Sequence, residues 1–311
     1  MGEETMDLAA DLAVEAIVRD ELARESRAVS SVVPVLRHLL GSEAQALVSD
    51  AILARVRGMI IDLANQLLAA QAGRDPTIRA ANSDPVALDQ LAETLMANEA
   101  LLGHCHALGA ESLIAERLQQ RGAIDPVLSP LLQELIAAED GNVAALAMST
   151  LAAQSRFMQA QRRMELPLGE LPAELFHGLV AETPIDTTGR AGLARLQQEY
   201  DEGTSRLGLL ARLVATIRRG ALAALELEHA GIALFASALS MTARTARTAT
   251  VLACLDGQGM RFALLLRAAG ISPPAITRQL LLVEPAGHLP IELAALAPDR
   301  AAELLGPEAV W

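Results

Sequence analysis

Val48, Ile52, Val56, Met59, Leu63 and Leu67 follow one another at steps of three and four residues, an interval that draws an apolar stripe down one side of an α-helix. Asp50, Arg57 and Asn65 fall off the stripe, and nothing there alternates with the period of two that a half-buried strand needs. The spacing predicts one long helix over residues 42–70. Leu210, Leu213, Ile217, Ala221 and Leu225 repeat it later in the chain. Apolar residues make up 52% of the sequence but aromatics only 2%, so Leu, Ala, Val, Ile and Met must fill the core. Such side chains suit close-packed helices, whereas strands favour β-branched and aromatic residues. The fold class expected is all-α, built from stacked antiparallel helical hairpins.

The punctuation agrees. Asp84–Pro85, Asp125–Pro126 and Asp75–Pro76 each offer a capping carboxylate followed by a proline suited to the first helical position, and Ser272–Pro273 is a serine version. Gly41, Gly73, Gly122 and Gly270 mark stops, where a left-handed residue ends a helix at low cost. Connections between these signals are short, which favours antiparallel neighbours. Residues 165–172 (ELPLGELP) predict a turn, and 183–189 (TPIDTTG) a linker. A boundary near residue 185 therefore divides the chain into an N-terminal helical domain, 1–185, and a C-terminal helical domain, 186–311.

Charge sharpens that division and removes several functions. The 311 residues carry a formal charge of −13, yet between Thr187 and Leu280 eleven arginines stand against six acidic residues. The overall field repels nucleic acid and anionic lipid, while the asymmetry points either to packing between the halves or to a locally basic face. All 25 basic residues are arginine. Without lysine there is no Schiff-base chemistry, no pyridoxal-phosphate anchor and no complete Walker A loop. Cys105 and Cys254 lie far apart in apolar helical surroundings and read as two buried free thiols of a reducing compartment. Residues 1–12 lack the basic start and apolar run of a signal peptide. Glu226, Glu228 and His229 interrupt the greasiest stretch, residues 220–241, which reads as a buried helix and not a membrane span. The expected compartment is the cytoplasm.

Two segments also resemble a known repeat. Asp140-Gly141-Asn142-Val143, followed by Ala147 and Leu151, resembles the second helix of a HEAT-type repeat, with an aspartate cap and small apolar residues on the inner face. Asp75-Pro76-Thr77-Ile78-Arg79 resembles another such start. Pro34-Val35-Leu36 with Leu39-Leu40 is loosely echoed by Pro130-Leu131-Leu132 with Leu135-Ile136, as a duplicated set of hairpins would be. Residues from about 30 to 180 are similar to an uncharacterised proteobacterial family of HEAT-like α-helical repeat proteins. The resemblance implies an α-solenoid over that part of the chain and implies no activity.

Candidate chemistry is sparse. Glu174-x-x-His177 and Glu226-x-x-His229 each place an acid and an imidazole three residues apart, on one helical face. Two such pairs, with two further glutamates such as Glu199 and Glu134, are the ligand set of a di-iron carboxylate bundle; a helix-start glutamate beside Pro172 needs no metal, and no metal is the expectation. His104-Cys105-His106 lacks the second half of a ligand motif and reads as a core cysteine with flanking histidines. Gly257-Gln258-Gly259 lacks the third glycine and preceding strand of a dinucleotide loop. Arg218, Arg219, Arg244 and Arg247, the last two within TARTART, could form a notch for phosphate or carboxylate, or a solvated face paired with acids. The expectation is a non-enzymatic interaction module without a cofactor that binds a protein partner. An anion-responsive regulator using those arginines comes second and a di-metal enzyme third.

Overall fold

The structure, a computed structural model, describes residues 2–41, 49–77, 84–183, 189–217, 221–255, 257–285, 293 and 296–306; for 2–13, 38–41, 189 and 221 it describes the backbone alone. Helices α1 (Gly2–Ser30), α2 (Val32–Gly41), α3 (Asp50–Gln71) and α4 (Pro85–Met96) lead into α5 (Glu99–Gly122). Next come α6 (Pro130–Ile136), α7 (Gly141–Arg162), α8 (Ala173–Glu182), α9 (Gly189–Glu199) and α10 (Arg206–Thr216). The chain continues through α11 (Ala221–Ala224), α12 (Leu227–Ala243), α13 (Arg247–Ala253), α14 (Gly259–Ala268), α15 (Pro273–Val283) and α16 (Pro298–Leu305). The protein is all-α, with no strand among the described residues. No described helix is long and apolar enough to cross a membrane.

Two compact units emerge, and neither is a contiguous half of the chain. One comprises Met1–Val32, Leu113–Gln133 and Ile217–Val310; the other comprises Val33–Ser112 and Glu134–Thr216. The sequence places a single cut near 185, a position outside the described residues. The compact division differs because α9 and α10, which follow that point, pack on α3 and α7, which precede it. Helices α5 and α6 each pass from one unit to the other along their length.

In the unit containing Val33–Ser112, the stripe on α3 is the core. Ile52, Val56, Met59, Leu63 and Leu67 are all buried. The helix is shorter at its start than the predicted 42–70: it begins at Asp50 after a non-helical Ser49, and residues 42–48 lie outside the described residues. Its end follows the glycine rule, with Gly73 at φ 66° and Arg74 N–H returning to the Ala69 carbonyl at 2.9 Å. Gly192 on α9 sits against the Ala70 carbonyl, where any Cβ would collide with backbone. Asp84 caps α4 through Val86 N–H (3.1 Å) and Asp140 caps α7 through Asn142 N–H (2.9 Å). Asp75 instead closes a local turn onto Thr77 at 2.8 Å.

The other unit buries α12 almost completely, but the single buried helix predicted over residues 220–241 is divided: α11 ends at Ala224, Leu222 is exposed and α12 starts at Leu227. That helix is bent at Gly231, whose φ of 68° and ψ of 160° interrupt the helical path. The apolar stripe expected to continue from Leu210 to Leu225 is broken, because α10 ends at Thr216 and α11 is a separate short turn. Gln279 of α15 ties the link between α11 and α12, donating to Leu225 O at 2.9 Å and accepting from Leu227 N at 3.2 Å. Asp125 holds Val127 and Leu128 N–H (2.7 and 2.8 Å), but the helix starts only at Pro130, where Ser129 accepts from Leu132 N–H. Helix α1 packs on α14 and α16. Its Glu25, 3% exposed, receives the first free amides of α14, Met260 N–H at 2.9 Å and Arg261 N–H at 2.7 Å.

Candidate functional site

The most elaborate polar arrangement among the described residues lies inside the unit of α3 and α7. The α7 stripe Ala147, Thr150, Gln154, Phe157, Gln161 is buried, and it carries amides among its apolar members. Arg206, first residue of α10, takes the stripe position four before Leu210 and is only 2% exposed. Its guanidinium meets Glu111 of α5 in a bidentate pair, Nη1 to Oε1 at 2.7 Å and Nη2 to Oε2 at 2.9 Å. Gln154 Oε1 accepts a third bond from Nη1 at 3.1 Å, and the group lies 3.7 Å over the Phe157 ring. Two opposite charges removed from water are thus matched in geometry and hydrogen bonding, which is what makes their burial tolerable.

A turn completes the surroundings. Pro167 and Pro172 break the helical path, and Leu168–Glu170 winds as a single 3-10 turn, as ELPLGELP predicts. Helix α3 pins this turn: Asp62 Oδ2 accepts from Leu166 N–H, and Gln66 both donates to Leu166 O and accepts from Leu168 N–H, all at 2.9 Å. Glu170 in turn accepts the Arg206 backbone N–H at 2.7 Å, anchoring the start of α10. Burial pushes the Glu170 carboxyl up, against the pull of its hydrogen bond to Arg206 and of the Arg206 and Arg156 charges.

Between these elements lies a cavity of about 230 Å³. Helix α7 contributes Arg156, Phe157, Ala160 and Gln161, and the turn contributes Glu165, Leu166, Pro167 and Glu170. Leu108 of α5 and Arg206 with Leu207 of α10 complete the lining. A small apolar chamber edged by a few fixed polar groups is the ordinary form of a small-molecule site.

Sequence reading did not single out this place. The available signal was register: Glu111 falls on the stripe Leu101, Leu108, Ala115, Leu118, and Arg206 on the stripe of Leu210 and Leu213. A charge at an apolar position announces a buried partner, but it does not say which of 38 acids is that partner for Arg206.

The residues that stand out in sequence fall in both units. Glu174 and His177 belong to α8 in the unit of α3, and Glu226 and His229 to the other unit. Both glutamates are exposed. His177 packs edge-on to Tyr200 at 5.5 Å between centroids, and Tyr200 stacks on Phe176 at 4.0 Å while its hydroxyl donates to Leu171 O at 2.7 Å. Glu226 is extended (φ −103°, ψ 106°) and stands at the cap position before Leu227, so only His229 of that pair lies within the helix. Of the two nominated partner glutamates, Glu199 pairs with Arg195 at 2.8 Å and Glu134 is exposed on α6. No group of three or more His, Cys, Asp or Glu that could hold a metal gathers among the described residues.

Arg218 and Arg219 lie outside the described residues. Arg244 is exposed at the left-handed end of α12 (φ 56°). Arg247 folds back on that helix, donating to Ser237 Oγ at 2.9 Å and Ala233 O at 3.2 Å. His104, Cys105 and His106 are all buried in α5, where loss of solvent pushes the Cys105 thiol up to about 12 and the His106 imidazole down to about 4. Cys254 is likewise a buried free thiol. Gly257-Gln258-Gly259 leads into α14, whose first amides are occupied by Glu25. Comparison of the chain with protein-family models, curated proteins and solved structures finds no match.

Proposed function

We propose that this chain is a non-enzymatic binding module, a HEAT-like stack of helical hairpins that holds a protein partner. The observation that carries the reading is the use made of deep polar groups in the unit of α3 and α7. Asp62 and Gln66 pin a turn, while Glu111 and Gln154 hold Arg206. These groups are spent on fixing helices to one another, and a rigid helical frame works through the surface it presents. Supporting the HEAT-like arrangement are the Asp140 cap on α7, the fully buried Ala147 beneath it, and the close seam of α9 on α3 at Gly192. Exposed Val86 on α4 and Met148 on α7 are apolar anchors for a partner. Affinity capture from native cytosol with the full chain tests the reading. A stoichiometric protein partner lost in Val86→Asp plus Met148→Asp is expected; a clean capture that recovers no partner overturns it.

A second reading, that a small ligand regulates this binding, is favoured by the cavity beside Arg206. It moves the recognition site from the TARTART notch, where Arg247 already bonds to α12, to the space between α7, the ELPLGELP turn and α10. A thermal-shift screen of small charged and neutral metabolites is expected to return stabilising hits that Glu170→Gln or Phe157→Ala abolishes. Hits indifferent to both substitutions would contradict it.

A further inference from the structure

We propose that Met164 and Ile61, with Arg57 beside them, form a docking face for an acidic amphipathic helix of the protein partner; the inference rests on the binding-module reading above. Exposed apolar residues taken singly need no explanation. These two are neighbours. The chain leaves α7 and lays Met164 on α3 at Gly58, so closely that a Cβ on Gly58 would collide with the methionine. Ile61 stands one turn on from Gly58, where side chains three residues apart start about 5–6 Å from each other. Met164 is 41% exposed and Ile61 36%. On the other flank of Gly58, Asp62 fixes the chain beyond Met164 by accepting from Leu166 N–H at 2.9 Å.

Met164 is kept there at a cost. It follows the last turn of α7 at φ 58°, a position where glycine is the usual residue. Its N–H returns to Gln161 O at 3.1 Å, and Glu165 N–H returns to Ala160 O at 2.9 Å. A side chain in that conformation is strained, and a glycine inside α3 weakens the helix that receives it. Both costs seat a thioether that the protein's own core leaves in solvent. Strain retained around a solvent-facing side chain points to a use for that side chain, and an unbranched thioether moulds itself to an apolar partner.

Charge selects the occupant. Arg57 precedes Ile61 by one turn, and Arg162 lies two residues before Met164. Both arginines are exposed, with no hydrogen-bond or ion-pair partner among the described residues. Arg163 is answered by Glu165 at 2.9 Å, and the buried Asp62 is engaged by Gln66 and Leu166 N–H. From residue 51 to 61, α3 carries no acidic residue. A chain of formal charge −13 thus sets unanswered positive charge beside an apolar pair. Carboxylates flanking an apolar turn complement this face, and a basic segment is repelled from it.

The test titrates the full chain with a synthetic helical peptide of about 15 residues, long enough to hold a helix, bearing two leucines one turn apart among glutamates. Heteronuclear NMR shifts report binding, and two control peptides carry lysine for glutamate or serine for leucine. The glutamate peptide is expected to bind saturably, with shifts centred on residues 54–61 and 162–165, while neither control binds. Met164→Gly relieves the strained backbone and removes the anchor, so it should raise Tm and weaken the peptide about tenfold. Arg57→Glu should weaken it by a similar factor with the fold intact by circular dichroism. Failure of the glutamate peptide to bind, equal binding of the lysine peptide, or full affinity in Met164→Gly would overturn the proposal. A dimer seen by sedimentation and dissolved by Met164→Gly would assign the face to a second copy instead, and would also overturn it. The partner captured through Val86 and Met148 tests the binding-module reading separately, so the two fail independently.

Discussion

Each unit buries a charged side chain, and the two solve the problem differently. In the unit of α3 and α7, Arg206 meets an opposite charge, Glu111, with Gln154 and the Phe157 face completing its shell. In the other unit, Glu25 rests on the backbone amides of Met260 and Arg261 at the start of α14, with Ser26 bonded to the Arg261 guanidinium at 2.6 Å. A bidentate pair neutralises charge outright. A helix terminus offers only partial charge, and burial dominates: the Glu25 carboxyl is pushed up to about 7. At Glu25 two helix amides leave burial dominant, whereas Arg206 and Glu111 answer charge with charge.

The contrast can be broken most forcefully at Arg206. Arg206→Met leaves Glu111 buried without its partner and should cost about 3–5 kcal/mol, read by denaturant unfolding. Adding Glu111→Leu should recover most of that loss; an equally unstable double variant would show that packing, not charge, was lost. Gly192→Ala forces a Cβ into the Ala70 carbonyl and should cost about 1–3 kcal/mol in the same unit, with α1 and α14 unaffected in hydrogen exchange.

Opposite responses to pH sharpen the comparison. Glu25, raised to about 7 from 4.5, favours its protonated form in the folded unit. Its stabilisation is full below pH 4.5 and is lost as pH rises through 7, by an amount on the order of 1–2 kcal/mol. His106, lowered to about 4 from 6.5, favours the neutral form in the unit of α3. Its stabilisation is full above pH 6.5 and is lost as pH falls through 4. Hydrogen exchange between pH 4 and 8 should therefore show α1 and α14 loosening with rising pH while α3 and α7 tighten. Glu25→Gln should remove the first trend and leave the second; a single trend shared by both units would contradict the assignment. The smallest effect belongs to Ala123, which ends α5 at φ 52° where glycine is the usual residue. Ala123→Gly should stabilise by up to about 1 kcal/mol, visible as a small rise in Tm.

Much of the frame was legible in sequence, because periodicity is a local property. The α3 stripe, the caps at Asp84 and Asp140, the stops at Gly73 and Gly270 and the turn at ELPLGELP all follow from neighbours within a few residues. Asp125–Pro126 misled because a capped turn and a capped helix share their first three residues, and the chain delays the helix to Pro130. The compact units are discontinuous because α9 returns to α3 and α10 to α7, long-range packing that a local linker signal near residue 185 does not carry. The site lies beyond local reading for the same reason. Arg206 is 95 residues from Glu111 and 52 from Gln154, so only the assembled helices bring them together. The Glu/His pairs were conspicuous in sequence because of short-range spacing, which is not what gathers ligands in space.

The central claim is that the charged pair at the heart of the α3–α7 unit serves to lock helices. Hydrogen exchange over 141–162 and 206–216 in Arg206→Met, Glu111→Leu and the double variant measures it directly. Strong deprotection in each single variant and near-native protection in the double are expected. Native-like protection in both singles would contradict it.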